Sequence, residues 1–269
     1  MSYLDDLFSV HGKTALVTGG ATGIGRMIAT GLAQAGARVL ISSRKGADCE
    51  QVAAELNELG AGKAEGFAGD VSTEAGIAAL VEAVKARTDT LHILVNNAGA
   101  AWGEPMKTFP YKAWSKVLDV NVTAVFHLTR ELLPLLKKAA TPADPARVIN
   151  LGSVMGTQPI GEGNYSYTAS KAAVHHLTRT LALELAPRHI TVNAFAPGPF
   201  QSRMMDFAVG TEEKAAAVGE KVPLGRIGAP DDIAGATIYL CSRAGSNVTG
   251  TILPLDGGQH VQHGVALFE

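Results

Sequence analysis

Tyr167 and Lys171 stand four residues apart where an apolar-periodic run begins, and on a helix that spacing puts them on one face. A tyrosine, with an ordinary pKa of about 10, is a poor proton donor or acceptor near neutrality. An ammonium about 4 Å from its oxygen favours the phenolate by on the order of 4 kcal/mol at an effective dielectric near 20. At about 1.36 kcal/mol per pKa unit, that attraction lowers the tyrosine by roughly three units before burial opposes it. The pair therefore reads as a general acid/base. The plain alternative is a polar pair at a helix start. Ser153 follows the strand-like Ile149-Asn150-Leu151, which places a hydroxyl at the carboxyl edge of a sheet shortly before Tyr167. Asn121 falls within the helical stretch LDVNVTAVF.

A second cluster lies near the N-terminus, where Thr18-Gly19-Gly20-Ala21-Thr22-Gly23-Ile24-Gly25 runs directly into a helical stretch. Absent side chains let a backbone approach a pyrophosphate, and the helix start supplies free N–H groups and a positive dipole end. The spacing is Gly-x3-Gly-x-Gly rather than Gly-x-Gly-x-x-Gly, so tight strand–helix packing is the alternative. If a dinucleotide binds, the end of the next strand selects it. There the chain reads Ile41-Ser42-Ser43-Arg44-Lys45, with no carboxylate before Asp48. A carboxylate would hold a ribose 2′-hydroxyl, whereas Ser43 removes that repulsion and Arg44 suits a 2′-phosphate. NADP(H) is thus expected over NAD(H), although Thr22 in place of a basic residue weighs mildly the other way.

These residues must be held by something. Strand-like apolar runs occur at Thr14–Thr18, Arg38–Ser42, Ala64–Ala68, His92–Val95, Arg147–Leu151, Thr191–Phe195 and Thr251–Leu255. Helical spacing fills the intervals, as in Ile28, Leu32 and Ala35, or Val52, Leu56 and Leu59. Continuous apolar strands alternating with helices predict an α/β fold: a doubly wound parallel sheet of about seven strands, covered on both faces. No linker or low-complexity tract divides the 269 residues, so 1–269 is read as one domain. The irregular stretch 197–230 begins at a strand end and reads as a substrate lid, or as a surface excursion with one or two short helices.

Composition excludes several classes. The net charge is −2, which removes the case for nucleic-acid binding. The densest apolar patch, Leu132-Leu133-Pro134-Leu135-Leu136, is short and broken by proline, so no membrane span is expected. MSYLDDLFSVHGK has no basic-then-apolar signal, and Cys49 and Cys241 make no metal or redox spacing. A reduced, cytoplasmic protein with no metal is expected.

Taken together, Gly19-x3-Gly23-x-Gly25, Asp70-Val71, Asn96-Asn97-Ala98-Gly99, Asn121, Ser153, Tyr167-x3-Lys171 and Pro197-Gly198 resemble, in order and spacing, the short-chain dehydrogenase/reductase family. The resemblance spans essentially the whole chain. Within the family, VNNAGAAWG, ARVINLGSV and PGPFQSRM look like 3-oxoacyl-thioester reductases. It implies that Tyr167 protonates a carbonyl oxygen as hydride arrives, that Lys171 tunes Tyr167 and holds the nicotinamide ribose, and that Ser153 donates to the developing alkoxide. It also implies that Asn121 positions a water linking Lys171 to solvent. Asp70 and Val71 would meet the adenine, while Asn97, Ala98 and Gly99 line the cofactor cleft, with Pro197 and Gly198 further cofactor-binding positions. A homotetramer, joined through the helices of Asn121 and Tyr167 and the C-terminal segment, follows by the same resemblance.

Motif flanks nominate Trp102, Met155, Ile160, Tyr165, Phe200, Met204 and Met205 as an apolar substrate pocket. A lipophilic carbonyl or alcohol is the expected small-molecule partner. Two rivals remain: an NAD-dependent alcohol or polyol dehydrogenase, and a cofactor sensor without chemistry, which should lack one or more catalytic groups. His175 and His176, adjacent on a helix, are expected to be structural. His260 and His263 read as a polar tail, Asp231 and Asp232 as helix N-terminal carboxylates, and Val265–Phe268 as a segment packed at a subunit interface.

Overall fold

The apolar runs become strands and the amphipathic intervals become helices. In the computed structural model, which describes residues 2–60 and 62–262, the chain order is α1 (Tyr3–Leu7), β1 (Thr14–Thr18), α2 (Gly23–Gln34), β2 (Arg38–Ser43), α3 (Gly46–Glu58), β3 (Lys63–Ala68), α4 (Glu74–Lys85), β4 (Ile93–Asn96), α5 (Lys112–Leu118), α6 (Ala124–Ala139), β5 (Ala146–Leu151), α7 (Tyr165–Leu185), β6 (Ile190–Pro197), α8 (Asp206–Val209), α9 (Glu212–Gly219), α10 (Pro230–Cys241) and β7 (Ile252–Leu255). The strands form one parallel sheet in the order β3-β2-β1-β4-β5-β6-β7. Chain direction across the sheet reverses between β1 and β4, which opens a crevice at their carboxyl ends. This is the expected doubly wound α/β sheet.

Successive strand residues point to opposite faces, so each face has its own core. Val17, Val39 and Ile41 pack with Ile28 and Leu32 of α2, Val52 and Leu56 of α3, and Ile233 and Leu240 of α10. On the other face Leu16, Leu94 and Val148 pack with Leu80 and Val84 of α4, Leu128 and Leu132 of α6, and Leu181 and Leu185 of α7.

Two local expectations are corrected. Leu59 is not a buried helical position but the half-exposed cap of α3. Pro134 does not break the apolar patch, because α6 continues through it to Ala139. The proline lacks only the N–H that would have bonded Arg130, and the exposed helix side tolerates that loss. No described helix is long and apolar enough to cross a membrane. The stretch 197–230 contains a 3-10 turn, α8 and α9, and Phe200 bridges to Gly228 at its base.

Candidate active site

The glycine turn requires glycine. Gly19 and Gly23 have φ of +64° and +53°, in the left-handed region that side chains disfavour. A Cβ at Gly25 would overlap Asn97 Nδ2 and the Gly19 carbonyl, and one at Gly20 would sit 2.9 Å from Ile41 Cγ2. Thr22 caps α2 with extended backbone but without a side-chain hydrogen bond, so the hydroxyl does not occupy the helix's first N–H groups. Thr22 and Ile24 are half-buried at its mouth.

Asn97, expected to line a cofactor cleft, is bound to the turn itself. Its Nδ2 donates to the Thr18 and Gly19 carbonyls at 2.8 and 3.1 Å, while Thr18 Oγ1 accepts from the Asn97 and Ala98 N–H groups. Ala98 remains half-buried and Gly99 exposed beyond this clamp. At the end of β2, Ser43 Oγ donates to the Lys45 carbonyl and accepts from Cys49 Sγ, and Arg44 is exposed. The Ser72 N–H donates to Asp70 at 2.9 Å, and this bond, reinforced by the Arg44 charge, holds the carboxyl below the usual carboxylate range. Val71, half-buried, borders a small cavity with Thr18, Asn96 and Ala98.

Ser153 ends the β5 loop in extended backbone, and its Oγ accepts from the Met155 N–H at 3.2 Å. The same hydroxyl lies near the Tyr167 phenol, close enough to oppose the effect of burial on it. Lys171, one turn further along α7, is buried, with Nζ 5.5 Å from the centre of the Tyr167 ring. Its Nζ donates to the Leu151 carbonyl at 2.6 Å. The burial that the spacing argument set aside is the larger effect here: it pushes the phenol above its ordinary value, and the Ser153 hydroxyl opposes this. Burial likewise pushes Lys171 down to about 8.

Asn121 sits on a π-helical turn, Asp119–Thr123, between α5 and α6. Such turns interrupt a helix where function needs the backbone displaced. Its amide accepts from the Ala100 N–H and donates to the Ala100 carbonyl and Ser170 Oγ, at 2.8 to 2.9 Å. Gly99 lies where a Cβ would be 3.5 Å from Asn121 Oδ1 and 3.9 Å from Lys171 Nζ, so three distant segments meet there. Pro197 closes β6, and Gly198 bonds through its N–H to the Leu255 carbonyl.

The pocket set divides. Tyr165 packs edge-on against Phe109 at 5.2 Å. Trp102 donates to Glu104 and lies 5.0 Å beneath Lys116 Nζ. Met155, Ile160 and Met205 are half-buried and Met204 is exposed. Phe200 is corrected: it belongs to the hydrophobic core, its ring filling the space a Gly228 side chain would need. Asp232 behaves as expected at the start of α10, accepting from the Ala229 N–H, and also pairs with Arg226. His260 pairs with Asp256, and no described group of acidic, histidine or cysteine residues is arranged for a metal. His263 and Val265–Phe268 lie outside the described residues.

The family model described as Enoyl-(Acyl carrier protein) reductase matches residues 19–260. A relative from Pseudomonas aeruginosa, the rhamnolipids biosynthesis 3-oxoacyl-[acyl-carrier-protein] reductase, is 45% identical over 254 residues, covering 94% of this chain and 98% of its own. The chain belongs to the short-chain dehydrogenase/reductase family. A 3-oxoacyl-[acyl-carrier-protein] reductase of Aquifex aeolicus is 38% identical, covering 93% of this chain and 98% of its own. The solved NADP active-site complex of Pseudomonas aeruginosa RhlG superposes with a TM-score of 0.90 at 45% identity, covering 95% and 99%. In this short-chain dehydrogenase/reductase, sequence reasoning overlooked His175 as a neighbour of Ser153. The available signal was its spacing: 167, 171 and 175 follow one another at intervals of four on a single helix.

Proposed function

We propose that this protein reduces the ketone of a 3-oxoacyl thioester, or a similarly lipophilic carbonyl, to a secondary alcohol with NADPH. The observation that carries the reading is the placing of the Ser153 hydroxyl near the Tyr167 phenol, with the buried Lys171 nitrogen 5.5 Å from the centre of the same ring, beside the glycine turn. The chain's own residues fit the dinucleotide. Gly19, Gly20, Gly23 and Gly25 let the turn pack closely on Asn97, Ile41 and Ser202 with its backbone bare, Thr22 leaves the α2 N–H groups accessible, and Ser43 with exposed Arg44 suits a 2′-phosphate. The 3-oxoacyl reductases and the NADP complex among its relatives support the same choice.

When bound, NADPH supplies the hydride for the carbonyl carbon. The chain supplies the rest. Two hydroxyls converge on one oxygen: Ser153 donates a hydrogen bond as charge develops, and Tyr167 donates the proton. Burial keeps Tyr167 protonated, the state an acid needs. Lys171, at about 8, exchanges its proton close to physiological pH and stabilises the phenolate left behind. Asn121 has its amide occupied by Ala100 and Ser170, so a water passed to Lys171 would be held by the backbone of the π turn.

The stretch 197–230 serves as a lid, since Met204, Phe207 and Leu224 expose apolar surface there. Exposed Trp114, Phe126 and Leu183 on α5, α6 and α7 support assembly as a homotetramer through these helices, and free Cys49 and Cys241 suit a reducing cytoplasm. Turnover of a 3-oxoacyl-CoA and of a sugar-alcohol panel, each with both nicotinamide cofactors, tests the reading. NADPH-dependent ketone reduction is expected; an NAD-dependent polyol preference would overturn it.

A further inference from the structure

We infer that His175 is a positioning residue for the reaction, its Nε2 accepting the Ser153 N–H and so holding the serine hydroxyl at the Tyr167 phenol. The inference rests on the role proposed above for Ser153. Tyr167, Lys171 and His175 occupy successive turns along one face of α7. The first two point at the cleft, and the third passes beneath the loop that carries Ser153.

His175 is only 4% exposed. Its Nε2 lies 3.4 Å from the Ser153 nitrogen, and its Nδ1 lies 3.5 Å from Thr157 Oγ1. Both ring nitrogens are therefore spent on the same short turn, residues 153–157, which the Met155 N–H bond to Ser153 Oγ and the Gly156 N–H bond to the Ser153 carbonyl close from within. The turn is also shaped for the ring. A Cβ at Gly152 would overlap His175 Nε2, and one at Gly156 would sit 2.8 Å from Cε1. An apolar side chain could fill that space, but it would leave the buried Ser153 N–H without a partner.

The arrangement specifies one tautomer. Nε2 accepts only when it carries no proton, so Nδ1 holds the hydrogen and donates it to Thr157. Lys171 and Arg179 both disfavour a charged ring, and burial, the larger cause, pushes His175 down to about 4. The imidazole therefore stays neutral and keeps its acceptor throughout the working pH range.

Three measurements test this. In the cofactor-free protein, the ring ¹⁵N shifts of His175 should report an unprotonated Nε2 near neutral pH; a proton on Nε2 would overturn the inference. His175→Leu should lower kcat by about tenfold to a hundredfold with the KM for NADPH nearly unchanged, whereas His175→Gln, whose amide oxygen reaches the same place, should restore most of it. In a Ser153→Ala background His175→Leu should cost less than about twofold, because its effect acts through the serine. Full activity in His175→Leu, or losses that add in the double variant, would overturn the inference while leaving the proposed function intact. A wild type that reduces no ketone would instead overturn that function and the inference with it. Should His175→Leu fail to fold, His175→Asn, polar but too short to reach, takes its place with the same expected outcomes.

Discussion

The Lys171 ammonium is bonded to the Leu151 carbonyl at 2.6 Å while its nitrogen stands 5.5 Å from the centre of the Tyr167 ring. The lysine is thus held by strand β5, and the tyrosine is buried with the Ser153 hydroxyl near its phenol. Desolvation raises the phenol and lowers the ammonium, so their values move toward each other. This favours a tyrosine that keeps its proton until a substrate oxygen takes it.

Tyr167→Phe removes that proton and little volume. Turnover should fall by about two to four orders of magnitude, with NADPH affinity within a few-fold of wild type. Steady-state NADPH oxidation and a fluorescence titration read the two quantities separately. An active phenylalanine variant would refute the acid.

Lys171 titrates at about 8 in the folded chain, against roughly 10.4 when unfolded. Between those values Lys171 binds more protons unfolded than folded, so its contribution to the unfolding free energy rises with pH across that window. The rise is on the order of 3 kcal/mol from this group alone. Burial also raises Cys241 to about 12, which opposes the rise above about pH 9, so the difference in denaturant stability between wild type and Lys171→Met at several pH values isolates it.

Arg44 is exposed beside Ser43, and its task would be to meet one phosphate. Arg44→Ala should lower the kcat/KM ratio of NADPH to NADH by about tenfold to a hundredfold, the range for a charge-assisted hydrogen bond. An unchanged ratio would move selectivity elsewhere on the chain.

Gly25→Ala places a methyl group against Asn97 Nδ2 and the Gly19 carbonyl. The clamp between the β1 and β4 turns must then open. Dinucleotide affinity should drop at least about tenfold, together with the melting temperature, since overpacking of this kind costs about 1–3 kcal/mol. Differential scanning fluorimetry with and without NADPH measures both.

The inner strands were legible because a strand covered on both faces is largely apolar, whereas edge strand β3, with Lys63 and Glu65, was marked mainly by its place between two helical runs. The glycine turn and Tyr167-x3-Lys171 were legible because both are local, within reach of one turn of chain. Phe200 was misplaced because an aromatic side chain in a loop carries no mark of which way it points. That depended on Gly228, nearly thirty residues away and small enough to receive the ring. Pro134 misled for the opposite reason: tertiary packing on α6 outweighs one missing hydrogen bond.

By itself the sequence determined the α/β sheet, its glycine turn and the sharing of one helix face by Tyr167 and Lys171, since these follow from periodicity and from spacing within single elements. Only the tertiary structure decided how those groups are charged and held. Burial, the Leu151 carbonyl behind Lys171 and the His175 ring beneath Ser153 all come from segments far apart in the chain. Desolvation depends on everything packed around a group, and no local spacing records it.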